Sequence, residues 1–227
     1  MRSPLPDDLT GYALLVDKPK GWTSFGVVKK VRWLAKIKKV GHAGTLDPMA
    51  TGLLIVCIGR AATKHIDSFM GLPKRYTGTL RLGQTTPSYD AETEPDSSVP
   101  AGHVTDAELE AAAVGLSGDI EQLAPMYSAV KVGGERLYKK ARRGETVERK
   151  PRHVHVDRFD LTARRETDVD FLIDCSKGTY IRTLAHDLGQ AVGVGAHLTA
   201  LRRERIGGYD VEDAWDLATL EETLTAH

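Results

Sequence analysis

The sequence predicts an α+β fold, and three observations lead there. Apolar runs of strand length and amphipathic runs of helical length follow one another without a regular strand–helix–strand alternation. No internal repeat, low-complexity tract or clear linker divides the chain. At 227 residues it is long enough to bury a substantial core.

Taken in order, residues 1–10 are polar and proline-bearing and read as a loose end. Ala13–Val16 is a short apolar strand that Asp17-Lys18-Pro19-Lys20-Gly21-Trp22 breaks into a turn. Thr23 or Ser24 caps a helix in which Phe25, Val28, Val31, Leu34 and Ala35 recur at helical spacing, with Lys29, Lys30, Arg32 and Lys36 opposite. A loop from Gly41 to Gly52 follows, then a buried strand, Leu53–Ile58. Gly59-Arg60 opens a helix running through Phe69, and Arg75–Leu82 alternates as a strand. Gly83–Pro100, rich in Thr, Pro, Ser, Asp and Glu, reads as a long exposed loop. Val104–Glu108 is a capped helix start, Met126–Val132 a strand, and Glu135–Arg143 a second basic helix ended by Gly144. Val154–Val156, Phe159–Leu161 and Phe171–Cys175 are extended. Thr179–Val192 is a helix with Ile181, Leu184, Ala185 and Leu188 on one face. Ala196–Arg202 is short and apolar, Gly207–Asp210 a turn, and Asp213 opens a last acidic helix.

The formal net charge is zero, but it is unevenly spread. Residues 11–40 carry eight Lys/Arg against one acid, and residues 131–158 carry ten against four. Residues 86–121 hold nine acids and no Lys or Arg, and residues 206–227 six acids and no base. Two basic segments let a neutral protein present a basic face to a polyanion, although a charge run is most often the solvated side of a helix. Cys57 and Cys175 each lie in an apolar run, which reads as buried thiols in a reducing compartment, not a disulfide framework or metal site. No apolar signal segment opens the chain and no run reaches membrane-spanning length, so the expectation is a cytoplasmic protein away from the membrane.

The chemistry concentrates on a few polar residues. Asp47 is the only acid between Asp17 and Asp67, set in a Gly/Pro-rich loop before an apolar strand. It is either a turn former at Pro48 or a functional carboxylate. Arg182 lies near a helix start, where a cation opposes the helix dipole and so is expected to face a specific anion. If that anion were Asp47, the pair would keep the carboxylate ionised and oriented. Tyr76 and Tyr180 offer flat faces for a base, or are core rings with a hydroxyl at the edge. The Gly41–Gly44 glycines lack P-loop spacing, and the histidines, including His153 and His155 on one strand face, assemble no zinc ligand set.

Five stretches, in order, closely resemble the TruB family of bacterial tRNA pseudouridine synthases: Asp17-Lys18-Pro19-Lys20-Gly21-Trp22-Thr23-Ser24, Gly41–Leu54 with its core Leu46-Asp47-Pro48-Met49-Ala50-Thr51-Gly52, Lys74-Arg75-Tyr76, Pro125–Lys131 and Ser176–Arg182. The resemblance covers roughly residues 11–205 and implies a pseudouridine synthase fold, a mixed, mostly antiparallel sheet flanked by helices. It implies that Asp47 attacks the target nucleotide, that Tyr76 stacks on a flipped uracil and assists proton removal at C5, and that Arg182 holds Asp47 by a salt bridge. Tyr180 would line the pocket, His42 would sit against displaced bases at its mouth, and Leu201 would lie under the base. Lys18 and Pro19 would buttress the catalytic loop, Asp90 would help shape the site, and Lys131 would touch substrate. The implied target is uridine 55 in the T-loop of tRNA, handled by a monomer that needs no obligate protein partner.

Isomerisation of uridine exchanges a C–N glycosidic bond for a C–C bond with no redox change, so no cofactor is required. The base must be flipped from its stack. Phosphate contacts and shape, not base reading, would supply most of the affinity. Many members also carry a C-terminal RNA-binding domain of the PUA type. Residues 206–227 are too short for one, so the expected organisation is a flexible 1–10, a catalytic 11–205 and a short acidic 206–227. Two rivals remain open: an RNA-binding protein without catalysis, and a glycoside-type hydrolase using Asp90 as a second carboxylate.

Overall fold

The structure, a computed structural model, describes residues 4–128 and 130–225. In chain order the elements are β1 (Ala13–Lys18), α1 (Ser24–Leu34), β2 (Val40–Ala43), β3 (Thr51–Ile58), α2 (Gly59–Thr63), α3 (Ile66–Gly71) and β4 (Lys74–Leu82). Then come β5 (Gln84–Thr85), β6 (Ser97–Ser98), α4 (Asp106–Gly115), β7 (Gly118–Gln122), β8 (Lys131–Val132), β9 (Glu135–Arg136) and α5 (Leu137–Ala141). The chain ends with β10 (Arg152–Arg165), β11 (Asp168–Cys175), α6 (Ile181–Ala191), β12 (Ala196–Ile206), β13 (Tyr209–Asp210), a 3-10 turn at Val211–Asp213, and α7 (Leu217–Thr225). This is the expected α+β class, with a mixed, mostly antiparallel sheet flanked by helices. The chain folds into two compact units, Met1–Tyr76 with Leu201–His227, and Thr77–Ala200.

In the first unit, β3 is the central strand. All but its first residue are buried, and it pairs antiparallel with β1 and β2 and parallel with β12 at Arg202 and Arg203. Leu14, Val16, Leu54, Val56 and Ile58 form one core with Val27, Val28 and Val31 of α1 and Leu217 and Leu220 of α7. Leu53, Ile55 and Cys57 point the other way, into a second cluster with Ala62, Ile206 and Val211. A strand buried on both faces reads as a continuous apolar run, which is what Leu53–Ile58 shows. Thr23 caps α1 by accepting from Gly26 N. That frees Ser24, the other candidate cap, for a different task.

In the second unit, β11 lies between β4 and β10, and β10 pairs on with β7. Phe159 and Phe171 meet edge to face on β10 and β11. Thr105 and Glu108 form a reciprocal capping box for α4, as the sequence placed it.

Several local expectations are corrected. Residues 40–43 are a strand, not loop: Val40 to Ala43 pair antiparallel with Ile58 to Ile55, and a Cβ on Gly41 would fall 2.8 Å from Ile66 Cδ1. Residues 126–132 are not a continuous strand. Only Lys131–Val132 is extended, in a hairpin with Glu135–Arg136, and Ala129 lies outside the described residues. The second basic helix is five residues, Leu137–Ala141. The 83–100 segment is not uniformly exposed: Thr86, Ser88 and Asp90 are almost wholly buried. A polar segment is buried only where its groups are bonded, and here a distant arginine and its own hydroxyls supply the partners.

Candidate active site

The residues singled out from the sequence fall in both units. In the first, β2 ends at Ala43, Gly44 turns the chain at φ 88°, and residues 44–50 form the loop that enters β3. Asp47 is half-buried at its centre. Its carbonyl accepts from Ala50 N at 3.1 Å with Pro48 next in line, so the backbone of Asp47 does make the turn.

The loop is held mainly through its main chain. Lys18, fully buried, donates to the carbonyls of Trp22 at 2.7 Å, Pro19 at 3.0 Å and Pro48 at 3.4 Å. Ser24 Oγ donates to Leu46 O at 3.0 Å and accepts from Leu46 N at 2.8 Å. Pro48 O also accepts from Gly21 N at 2.8 Å. Arg203, 1% exposed, donates Nε to Leu53 O at 2.7 Å and Nη2 to Gly44 O at 3.1 Å. Beside it, Arg202 clamps Asp17 with both Nη atoms at 3.0 and 2.8 Å. Cations donating to carbonyls satisfy loop backbone that no strand partner reaches.

His42 stands on β2 opposite Val56, half-buried, with Nδ1 buried and without a hydrogen-bond partner among the described residues. Burial, and then the charge of Arg203, hold its pKa below the ordinary histidine value, so the ring is neutral at neutral pH. Tyr76 on β4 and Leu201 on β12 are both buried, at 9% and 8% exposure.

In the second unit, Arg182 is 4% exposed near the start of α6. It donates Nη1 to Ser88 O at 3.0 Å and Nη2 to Tyr127 O at 2.9 Å. Nη1 also lies 3.1 Å from Asp90 Oδ2, an ion pair by distance whose angle falls short of a hydrogen bond. Asp90 is wholly buried, and its other oxygen accepts from Ser88 Oγ at 2.6 Å and Glu92 N at 3.0 Å. The sequence argument that Arg182 faces an anion thus finds one in Asp90, which is closed to solvent. Tyr89, at φ 64°, stacks on His186 with ring centroids 3.9 Å apart. Tyr180 precedes α6. Its main chain is bracketed by Gln122, which accepts from Tyr180 N at 2.9 Å and donates to Tyr180 O at 3.2 Å. The Arg152 guanidinium lies 5.1 Å from the Tyr180 ring centre. Lys131 is exposed on the β8–β9 hairpin.

Arg203, Ser24 and Gln122 were not singled out from sequence. A signal existed for the buried cations. Lys18 shares the inward phase of β1 with Leu14 and Val16, and Arg203 shares that of β12 with Leu201. A period-two count therefore puts a charge on the buried face in each strand. Among the described residues no group of His, Cys, Asp and Glu is arranged to hold a metal ion, and no helix is long and apolar enough to cross a membrane.

These features define a class, the pseudouridine synthases. A chain from the crystal structure of a Cbf5-Nop10-Gar1 complex superposes with a TM-score of 0.75 at 28% identity, over 97% of this chain and 56% of that one. This chain thus spans about half the length of that solved relative. The particular assignment is narrower: the chain belongs to the TruB family of pseudouridylate synthases, whose N-terminal domain model matches residues 32–181. A model of the tRNA pseudouridylate synthase B C-terminal domain matches residues 182–227. A protein of Flavobacterium johnsoniae named tRNA pseudouridine synthase B is 46% identical over 95% of this chain and 97% of its own. One of the same name from Opitutus terrae is 50% identical over 92% of this chain and 86% of its own.

Proposed function

We propose that the protein isomerises uridine 55 in the T-loop of tRNA to pseudouridine, with Asp47 as the catalytic carboxylate. The observation that carries the reading is the Asp47 loop, fixed through its carbonyls and amides by Lys18, Ser24 and Arg203, in a chain of the TruB family. A loop anchored by its backbone presents a carboxylate on a fixed support.

The reaction breaks the C1′–N1 bond, turns the uracil and joins C1′ to C5, from which a proton then leaves. A carboxylate serves as a nucleophile at the sugar, as a base at the sugar or as a nucleophile at the ring, and each role needs it ionised. Arg182 is assigned as the cation that keeps Asp47 ionised and oriented, and Asp90 as the group that positions Arg182. Tyr76 is assigned to stack on the flipped uracil and assist at C5, with Tyr180 lining the pocket and Leu201 beneath the base. The neutral ring of His42 suits stacking against displaced bases. Lys131 and the basic residues around it are assigned to phosphates. The catalytic portion spans residues 11–205, it works as a monomer in the cytoplasm, and it needs no cofactor.

The hydrolase alternative requires a second carboxylate within reach of substrate. Asp90, its sequence candidate, is wholly buried beside Arg182, which weighs against it. The test is incubation with an unmodified tRNA transcript, followed by mapping of pseudouridine. A single new pseudouridine at position 55 is expected. Modification elsewhere would keep the reaction and refute the target, and released uracil would refute the isomerase.

A further inference from the structure

Helix α1 carries a surface that the catalytic assignment does not use. Four aromatic side chains are exposed among the described residues, and three of them, Trp22, Phe25 and Trp33, lie within twelve residues of one another. Phe25, Lys29 and Trp33 are four residues apart in turn, so they share one face of α1, on the side away from the buried Val27, Val28 and Val31. Phe25 is 54% and Trp33 63% exposed, which core packing does not explain. Single exposed rings are ordinary, but a row of them marks a surface for contact.

The charge beside the rings points to the partner. Lys29 Nζ lies 5.2 Å from the Phe25 ring centre and Lys30 Nζ 5.1 Å from that of Trp33. Lys30 is also paired with Glu221, whereas Lys29, and Lys36 just beyond the helix, stand exposed. No acid occurs from Lys18 to Leu46. Flat rings alternating with ammonium groups match a polyanion that carries flat faces, which is single-stranded nucleic acid. An acidic peptide would use the lysines and leave the rings idle.

Position completes the argument. Ser24, the first residue of α1, is bonded to Leu46 in the loop of Asp47. The row therefore begins at the candidate catalytic loop and leads away from it, with Phe25 and Trp33 about 12 Å apart along the axis. We propose that this face of α1 is a second RNA-binding surface, which takes a single-stranded segment next to the modified stem-loop by stacking bases on Phe25 and Trp33 and placing phosphates on Lys29 and Lys36. The proposal rests on the RNA substrate assigned above and adds a site to it.

The test compares two RNAs, a 17-nucleotide T-arm hairpin and the same hairpin with twelve unpaired uridines at its 5′ or 3′ end, against the wild-type chain and the double variant Phe25→Ala/Trp33→Ala. The wild type is expected to bind one extended hairpin about tenfold tighter than the bare one. The double variant loses that gain, while its affinity for the bare hairpin and its pseudouridine yield on it stay within twofold. Both substitutions are at exposed positions. A Trp33→Phe variant, which keeps a stacking face, retains most of the gain. An extension gain that survives in the double variant overturns the proposal, as does an equal loss on both RNAs. Concentration-dependent self-association of the wild type that the double variant abolishes, with RNA binding unchanged, would assign the face to a second copy of the chain and overturn it as well. If the wild type bound the hairpins but made no pseudouridine, the catalytic reading would fall while the two affinities still decided this one.

Discussion

The Asp47 loop and the Arg182 cluster hold a functional charge in opposite ways. Around Asp47, the fixing bonds run from distant side chains to the main chain of the loop: Lys18 to Pro48 O, Ser24 to Leu46, Arg203 to Gly44 O. Around Arg182, the functional side chain is itself the donor, to Ser88 O and Tyr127 O, and lies against the buried Asp90. The first set of bonds ends on main-chain atoms of the loop, whereas the second is arranged around the charge of a buried guanidinium.

The contrast is broken most directly by matched substitutions. Asp47→Asn is expected to lower single-turnover pseudouridine formation by at least about a thousandfold, with tRNA affinity close to wild type. Asp90→Asn removes a buried charged partner of Arg182 and is expected to destabilise the fold by about 3 kcal/mol, seen in urea unfolding, with activity falling alongside. An Asp90→Asn protein as stable as wild type would sink the account of the second unit. An Asp47→Asn protein that keeps its activity would sink the catalytic assignment in the first.

A smaller effect sharpens the first half of the comparison. Ser24→Ala removes both bonds to Leu46. It is expected to cost about 1–2 kcal/mol in unfolding free energy and to lower kcat with little change in KM, because the loop loosens around an intact carboxylate. Helix α1 stays capped by Thr23, so a loss of helix by circular dichroism would contradict this reading.

The smallest effect concerns pH. Asp187, on the same helix as Arg182, has its carboxyl pushed up to about 6 by burial. Its ionised form is thus disfavoured in the folded state. The cost is absent below the unfolded value near 4, grows between pH 4 and 6, and is complete above 6. Asp187→Asn is expected to stabilise the protein by about 1 kcal/mol at pH 8, a figure reduced for the carboxyl's partial exposure, and to converge on wild type at pH 4. Burial lowers the pKa of His186 on the same helix, which adds an opposite slope to both proteins, so the difference between them is the quantity to follow.

The sequence disclosed the strand and helix inventory where periodicity is strong, as in α1, β3 and α6, and the family through its ordered motifs. It disclosed less where polar residues are buried. The family resemblance placed Lys18 as a buttress of the loop, but the charge count also put it in a basic segment; it is wholly buried, and charge totals ignore the phase of the strand that carries it. Thr86, Ser88 and Asp90 read as exposed loop because their partner, Arg182, lies some ninety residues away, and local composition holds no trace of it. Strand β2 was hidden by Gly41, a poor strand former that the pairing with Cys57 on β3 holds extended. Each miss has one origin: a long-range contact reversed a local preference.

Gly52 is where these threads cross. It pairs with Lys18 on one side and with Arg203 on the other, so the two cations that fix the Asp47 loop stand level across β3. A Cβ on Gly52 would fall 2.3 Å from Arg203 O, and its φ is 101°. If β3 slid by one residue, a side chain of Thr51 or Leu53 would meet that carbonyl. The glycine therefore works as the zero mark of a ruler: it admits one alignment of three strands, and through that alignment the assembled chain measures how far from the sheet its aspartate will stand.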